Sequence, residues 1–133
     1  MKLVNILSIA ALANIANAID CYKRGEKWDD DKNKDKNAAL SMIDTLCTNG
    51  TFNVEYPAGT WDDNHPVEFA WDISSTRTAT FAIWLNNIWG SVALDSYSCK
   101  DGLKKQVNHC SHGGVTQYTY WKYRGDINVK KKI

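Results

Sequence analysis

The chain has 133 residues, 44% of them hydrophobic, and a formal net charge of +1. Near-balanced charge argues against a protein that works by electrostatic attraction to nucleic acid or anionic membrane, and the length allows one domain with a small core. Six tryptophans, six tyrosines and three phenylalanines are a large aromatic share for a core of that size.

Residues 1–18 read MKLVNILSIAALANIANA. Lys2 precedes an apolar run from Leu3 to Leu12, and Ala16-Asn17-Ala18 is a small-x-small cleavage site. That is the pattern of a secretory signal peptide, with cleavage expected after Ala18. The run is too short, and too interrupted by Asn, to span a bilayer. The mature chain, residues 19–133, is expected to be one soluble, secreted domain.

Secretion changes how the cysteines read. Cys21, Cys47, Cys99 and Cys110 all fall in the mature chain. An oxidising route makes two disulfides the default, and four cysteines allow three pairings among which spacing does not choose. Each bridge would contribute roughly 2–4 kcal/mol, a large share of a marginal total.

CYKRGEKW, residues 21–28, reads as a short strand leading to a turn at Gly25. The polar run 29–37 is a solvated loop or first helical turn; it lacks the central Gly and closing Glu of a calcium loop. Residues 38–47 place Ala39, Leu40, Ile43, Leu46 and Cys47 on one helical stripe, with Asp35 and Thr48-Asn49-Gly50 as start and stop signals. Asn49-Gly50-Thr51 is an N-glycosylation sequon in the following loop.

The middle of the chain reads as antiparallel sheet. Residues 51–61 alternate until Pro57 and Gly59. Val67, Phe69, Trp71 and Ile73 share one face of a strand, and Phe81, Ile83 and Leu85 share one face of the next, opposite Trp84. Residues 91–99 are a further strand candidate ending at Cys99. Residues 115–124 are rich in β-formers and read as a last strand, followed by a basic tail whose plain reading is a solvated end.

SYSCKDGLKKQVNHCSHGG, residues 96–114, carries two cysteines and two histidines. Cys99, Leu103, Gln106 or Val107, and Cys110 follow helical spacing, with Lys104, Lys105 and Asn108 toward water. The stretch reads as a helix with one cysteine just before it and one at its end, Asp101 as its cap or in its first turn, and a Gly-Gly stop. A zinc site is not expected, because Cys110 and His112 are too closely spaced and oxidised cysteines do not ligate. A cysteine nucleophile needs a free thiolate. His65, His109 or His112 with Glu26, Glu55 or Glu68 has the residue types for acid–base cleavage of RNA or glycan, but no geometry.

Trp71 is the tryptophan expected to fill the core. Trp61 and Trp89 sit beside turn signals and are expected at the surface, where aromatics anchor protein or stack on sugar. Arg124-Gly125-Asp126 is a tripeptide too short to carry an adhesion assignment.

The cysteine frame also resembles a family. CYKRGEKW at 21–28, DTLC at 44–47, CKDGLKKQVNHCSHGG at 99–114 and WKYRGDIN at 121–128 are similar to the Ecp2-like effectors and KP4 killer-toxin-like proteins of fungi, over most of the mature chain. The resemblance implies an α+β fold: a small α/β-sandwich in split βαβ arrangement, with two helices on one face of an antiparallel sheet, stapled by disulfides. It implies a Cys21–Cys110 bridge. The relatives' two further cysteines are missing here, and Ile127 stands where their closing motif has proline, so Cys47 and Cys99 are either re-paired with each other, as the secretory route and even parity favour, or both free.

The expected protein is therefore a secreted, effector or toxin-like monomer. It binds a host or competitor protein, or a glycan, through Trp61, Trp89, Lys104 and Lys105, without catalysis, cofactor, metal or nucleic acid. A solvated helix face is the plainer reading of the two lysines. The alternatives are a small secreted hydrolase such as a ribonuclease, with a His and a carboxylate or two His about 3–7 Å apart, and a carbohydrate-binding protein with two coplanar exposed rings.

Overall fold

The computed structural model describes residues 18–28, 34–60 and 65–130. The signal-like residues up to 17, the polar run 29–33, residues 61–64 with Trp61, and tail residues 131–133 lie outside them. The elements are β1 (Ala18–Cys21), α1 (Lys34–Leu46), β2 (Glu55–Tyr56), β3 (Val67–Asp72), β4 (Arg77–Leu85), β5 (Val92–Ala93), α2 (Ser96–Asn108), β6 (Gly113–Gln117) and β7 (Trp121–Val129).

Period-two alternation builds the sheet. In β4, Ala79, Phe81, Ile83 and Leu85 are buried, and they pair across to Ile127, Gly125, Tyr123 and Trp121 of β7. Keeping this register puts both apolar sets on one face, since a one-residue slip would turn them to water. The five-stranded sheet has the order β1-β6-β7-β4-β3 with every neighbour antiparallel, and β2 pairs separately with β5. Strands β4 and β6 thus run parallel with β7 between them, and α2 lies in the connection. This is a small α+β domain with two helices packed against an antiparallel sheet, as expected.

The helices are fixed by their buried stripes and by sulfur. Ala39, Ile43 and Leu46 of α1 and Cys99, Leu103, Gln106 and Val107 of α2 are buried. Two disulfides, Cys21–Cys110 and Cys47–Cys99, close the domain, and no described cysteine is free. Cys47–Cys99 ties the end of α1 to the first turn of α2; Cys21–Cys110 ties β1 to the segment after α2. Lys104 adds an ion pair between the helices, 2.6 Å from Asp44.

Several boundaries differ from the sequence reading. Residues 91–99 are not one strand: β5 is two residues, and Asp95 then caps α2 by accepting from the Ser98 N–H at 3.0 Å. Cys99 is therefore inside the first turn of α2, and Asp101 lies beyond that turn, neither cap nor first-turn residue. Residues 115–124 are not one strand either; β6 and β7 form a hairpin closed by the Tyr118 N–H donating to the Trp121 carbonyl at 2.8 Å. Of the 51–61 stretch, the described residues contribute β2 and, past Pro57, an isolated bridge from Gly59 to Asn87.

The fully enclosed tryptophan among those described is Trp28, at 1% exposure, not the half-buried Trp71. Trp28 stacks on Phe81 at 5.7 Å, and its indole N–H donates to the Gln106 carbonyl at 3.2 Å. Trp71 stacks on the same phenylalanine at 5.3 Å, from edge strand β3. What brings Trp28 inward is Arg77. This buried guanidinium donates to the Lys27 carbonyl, lies 3.3 Å from Asp35 and 3.8 Å from Glu26, and so pins the loop to β4 and α1.

Candidate functional site

Exposed aromatics gather at one end of the sheet, where β4 stops, the β6–β7 turn folds over and α2 begins. Trp89 is 89% exposed, Tyr97 74%, Ile88 67% and Tyr120 55%. Large apolar groups left in water are costly, and two of these, Trp89 and Tyr120, line one groove together.

The backbone beneath them is held firmly. Asn87 Oδ1 accepts from the Trp89 N–H at 3.0 Å, and Asn87 Nδ2 donates to the Gly90 carbonyl at 3.3 Å. Asn87 and Gly59 exchange backbone bonds of 2.8 and 2.9 Å. The Asn86 N–H donates to the Tyr120 carbonyl at 2.7 Å, locking the end of β4 to the hairpin turn. Trp121 meets Tyr56 edge-to-face at 5.0 Å, and the Tyr56 hydroxyl donates to the Phe52 carbonyl at 2.8 Å.

Two adjoining grooves open here, sharing Tyr120 and Trp121. One, about 330 Å³, runs along Leu85, Asn87, Trp89 and Val92. The other, about 170 Å³, is lined by Ser98, Asp101, Tyr118, Thr119 and Tyr123. Its floor is polar. Lys105 Nζ lies 2.9 Å from Asp101 Oδ2, and the Tyr118 hydroxyl donates to the same oxygen at 3.4 Å. Burial works against the Lys105 charge, but the bonds to Tyr118 and Asp101 outweigh it and raise its pKa above the ordinary lysine value. Burial raises the pKa of Tyr118 and, further, that of Tyr123, so both phenols stay protonated and able to donate.

Of the residues expected to bind, Trp89 is at this end, and Trp61 lies outside the described residues. Lys104 is committed to Asp44 and Lys105 to Asp101, so the two do not form an open basic face. Sequon residue Asn49 is exposed in the turn after α1, its Oδ1 accepting from the Thr51 N–H at 3.0 Å. His109 caps α2, His112 Nδ1 donates to the Gly25 carbonyl at 2.8 Å, and His65 is exposed ahead of β3. Arg124-Gly125-Asp126 is the interior of β7, with Arg124 paired to Glu68 at 2.6 Å. Among the described residues no three His, Cys, Asp or Glu side chains gather as a metal site, and no helix is long and apolar enough to cross a membrane.

Sequence reading missed Ile88, Tyr97, Tyr120, Ser98 and Asp101 as members of one surface. The available signal was Asn-Asn-Ile-Trp-Gly at 86–90, an apolar pair set between turn-forming residues. Comparison with protein-family models, with curated proteins and with solved structures found no match for this chain.

Proposed function

We propose that this chain acts outside the cell as an effector or toxin-like binding protein, of the kind its resemblance to fungal killer-toxin-like proteins implies. Its rigid, stapled scaffold presents the aromatic end to a host or competitor target. The carrying observation is Trp89, Ile88, Tyr97 and Tyr120 held in solvent on a pinned backbone. A rigid aromatic surface loses little freedom on docking, which is how a few such residues dominate an interface. Secretion is supported by the signal-like first 18 residues and by two disulfides, which persist in oxidising compartments.

The test is secretion and surface binding together. The full chain, expressed in a eukaryotic secretory host, is expected in the medium with Ile19 at its N-terminus and both bridges formed. The labelled product is expected to bind intact cells from a panel of fungi, plants and animals, and Trp89→Ala and Tyr120→Ala to abolish that binding. Retention inside the cell, or surface binding indifferent to both substitutions, overturns the reading.

A further inference from the structure

We propose that the paired grooves at the aromatic end are a subsite for an uncharged saccharide chain, an assignment that rests on the binding function above and names its ligand. The small groove, about 170 Å³, combines ring faces with hydrogen-bonding groups: Tyr120 and Trp121 beside Ser98 and Asp101. Sugars ask for that mixture, since a pyranose has an apolar C–H face and a rim of hydroxyl donors. Ring stacking supplies area with little loss of side-chain freedom, and a few placed polar groups set orientation.

The Asp101–Lys105 pair sets the charge of the groove, each offsetting the other. Lys105 and Tyr118 both engage Asp101 Oδ2, which fixes the carboxylate and leaves Oδ1 as an acceptor toward a ligand hydroxyl. With Lys105 committed to Asp101 and no other lysine or arginine among the described lining residues, the groove offers a phosphate or uronate no cation to bind, so nucleic acid and acidic glycans gain nothing there over a neutral chain. The second groove continues from Tyr120 and Trp121 to the exposed Trp89. Two small cavities joined at a shared aromatic wall suit consecutive rings of a chain better than one bulky ligand.

The experiment titrates the secreted, disulfide-bonded protein with four hexasaccharides: β-1,4-N-acetylglucosamine, β-1,3-glucose, mannose and, as the charged control, galacturonate. Calorimetry and tryptophan fluorescence read binding. At least one uncharged hexamer is expected to bind saturably and galacturonate not. Tyr120→Ala and Asp101→Asn are expected to weaken binding at least about ten-fold, with Tyr120→Phe retaining it. Ser75→Ala, in the β3–β4 turn at the opposite end of the sheet, is expected to change nothing. If no uncharged hexamer binds while cell-surface binding remains dependent on Trp89, the saccharide assignment falls and the docking function stands. If galacturonate binds as well as the uncharged chains, or if binding ignores Tyr120→Ala and Asp101→Asn, the site assignment falls. Absence of both glycan and cell binding overturns both.

Discussion

Replacing Gly102 by alanine should destabilise the domain, although the position is in the middle of a helix where alanine is normally the better residue. The propensity gain is about 1 kcal/mol. Against it stands Tyr123: a methyl on Gly102 would fall within contact distance of Cζ and both Cε atoms of that ring. The ring has little room to yield. Tyr123 is 2% exposed, meets Tyr118 edge-to-face at 5.6 Å, and sits on β7 between two other strands. Nor does α2 retreat easily, being tethered through Cys99 near its start and Cys110 beyond its end. Forced overpacking costs about 1–3 kcal/mol or more, and displacing a buried aromatic adds a share of its burial, about 1.5–3 kcal/mol. The net loss is expected near 2 kcal/mol, read as a lower urea midpoint with unchanged slope. Tyr123→Phe keeps Cζ and should give no relief. Tyr123→Leu removes Cε and Cζ, so on that background Gly102→Ala should cost little or stabilise. A raised midpoint in the wild type, or the same cost on all three backgrounds, would refute the packing argument.

Removing either disulfide should cost roughly 4–5 kcal/mol by loop entropy, since the bridges span sequence separations of 89 and 52 residues. Graded reduction with alkylation and peptide mapping should open Cys21–Cys110 first, because Cys21 is half-buried while Cys47 and Cys99 are enclosed; earlier labelling of Cys47 would contradict this. Arg77→Met should cost about 3–5 kcal/mol in urea unfolding by leaving the buried Asp35 carboxylate alone, and adding Asp35→Leu should recover much of it. Asp95→Ala should cost about 1 kcal/mol through loss of the α2 cap, and Asp95→Asn much less. Burial works against the Asp95 charge, but bonds from Ser98 outweigh it and lower the pKa. The ionised cap therefore contributes above the unfolded carboxyl value of about 3.9 and is lost as pH falls through the lower folded value, so the wild-type advantage over Asp95→Ala should shrink in acid. Trp89→Ala should leave the unfolding free energy from urea titration within about 0.5 kcal/mol of wild type, because the ring is almost wholly in solvent.

Elements with clean periodicity were legible from residues alone. The stripes of α1 and α2 and the alternation of β4 appear in the structure on the faces they suggested. Errors arose where tertiary contacts override local preference. Residues 118–121 turn sharply without Gly, Pro or Asn, so nothing in the sequence marks a hairpin there; the pairing of β7 with β4 imposes it. The start of α2 was hidden by the apolar run Val92-Ala93-Leu94 just ahead of it, and its signal, Asp95 three residues before Ser98, is a single side chain. Trp28 lies among charged residues and shows no periodicity, yet it is buried because Arg77, about fifty positions away, draws its loop inward. The aromatic end is assembled from segments near residues 88, 97 and 120, and only Trp89 was recognisable in isolation.

The two bridges are nested, with Cys47–Cys99 inside the span of Cys21–Cys110. One peptide-bond cut anywhere from residue 22 to residue 109 therefore detaches nothing, since both pieces stay joined through sulfur. The same wiring leaves a weakness: β6 and β7 lie beyond both bridges and are held by strand pairing and packing, together with the chain leading out of Cys110. A single proteolytic cut at Tyr120, in the turn that also walls both grooves, would free the chain from Trp121 onward and withdraw the strand joining β4 to β6.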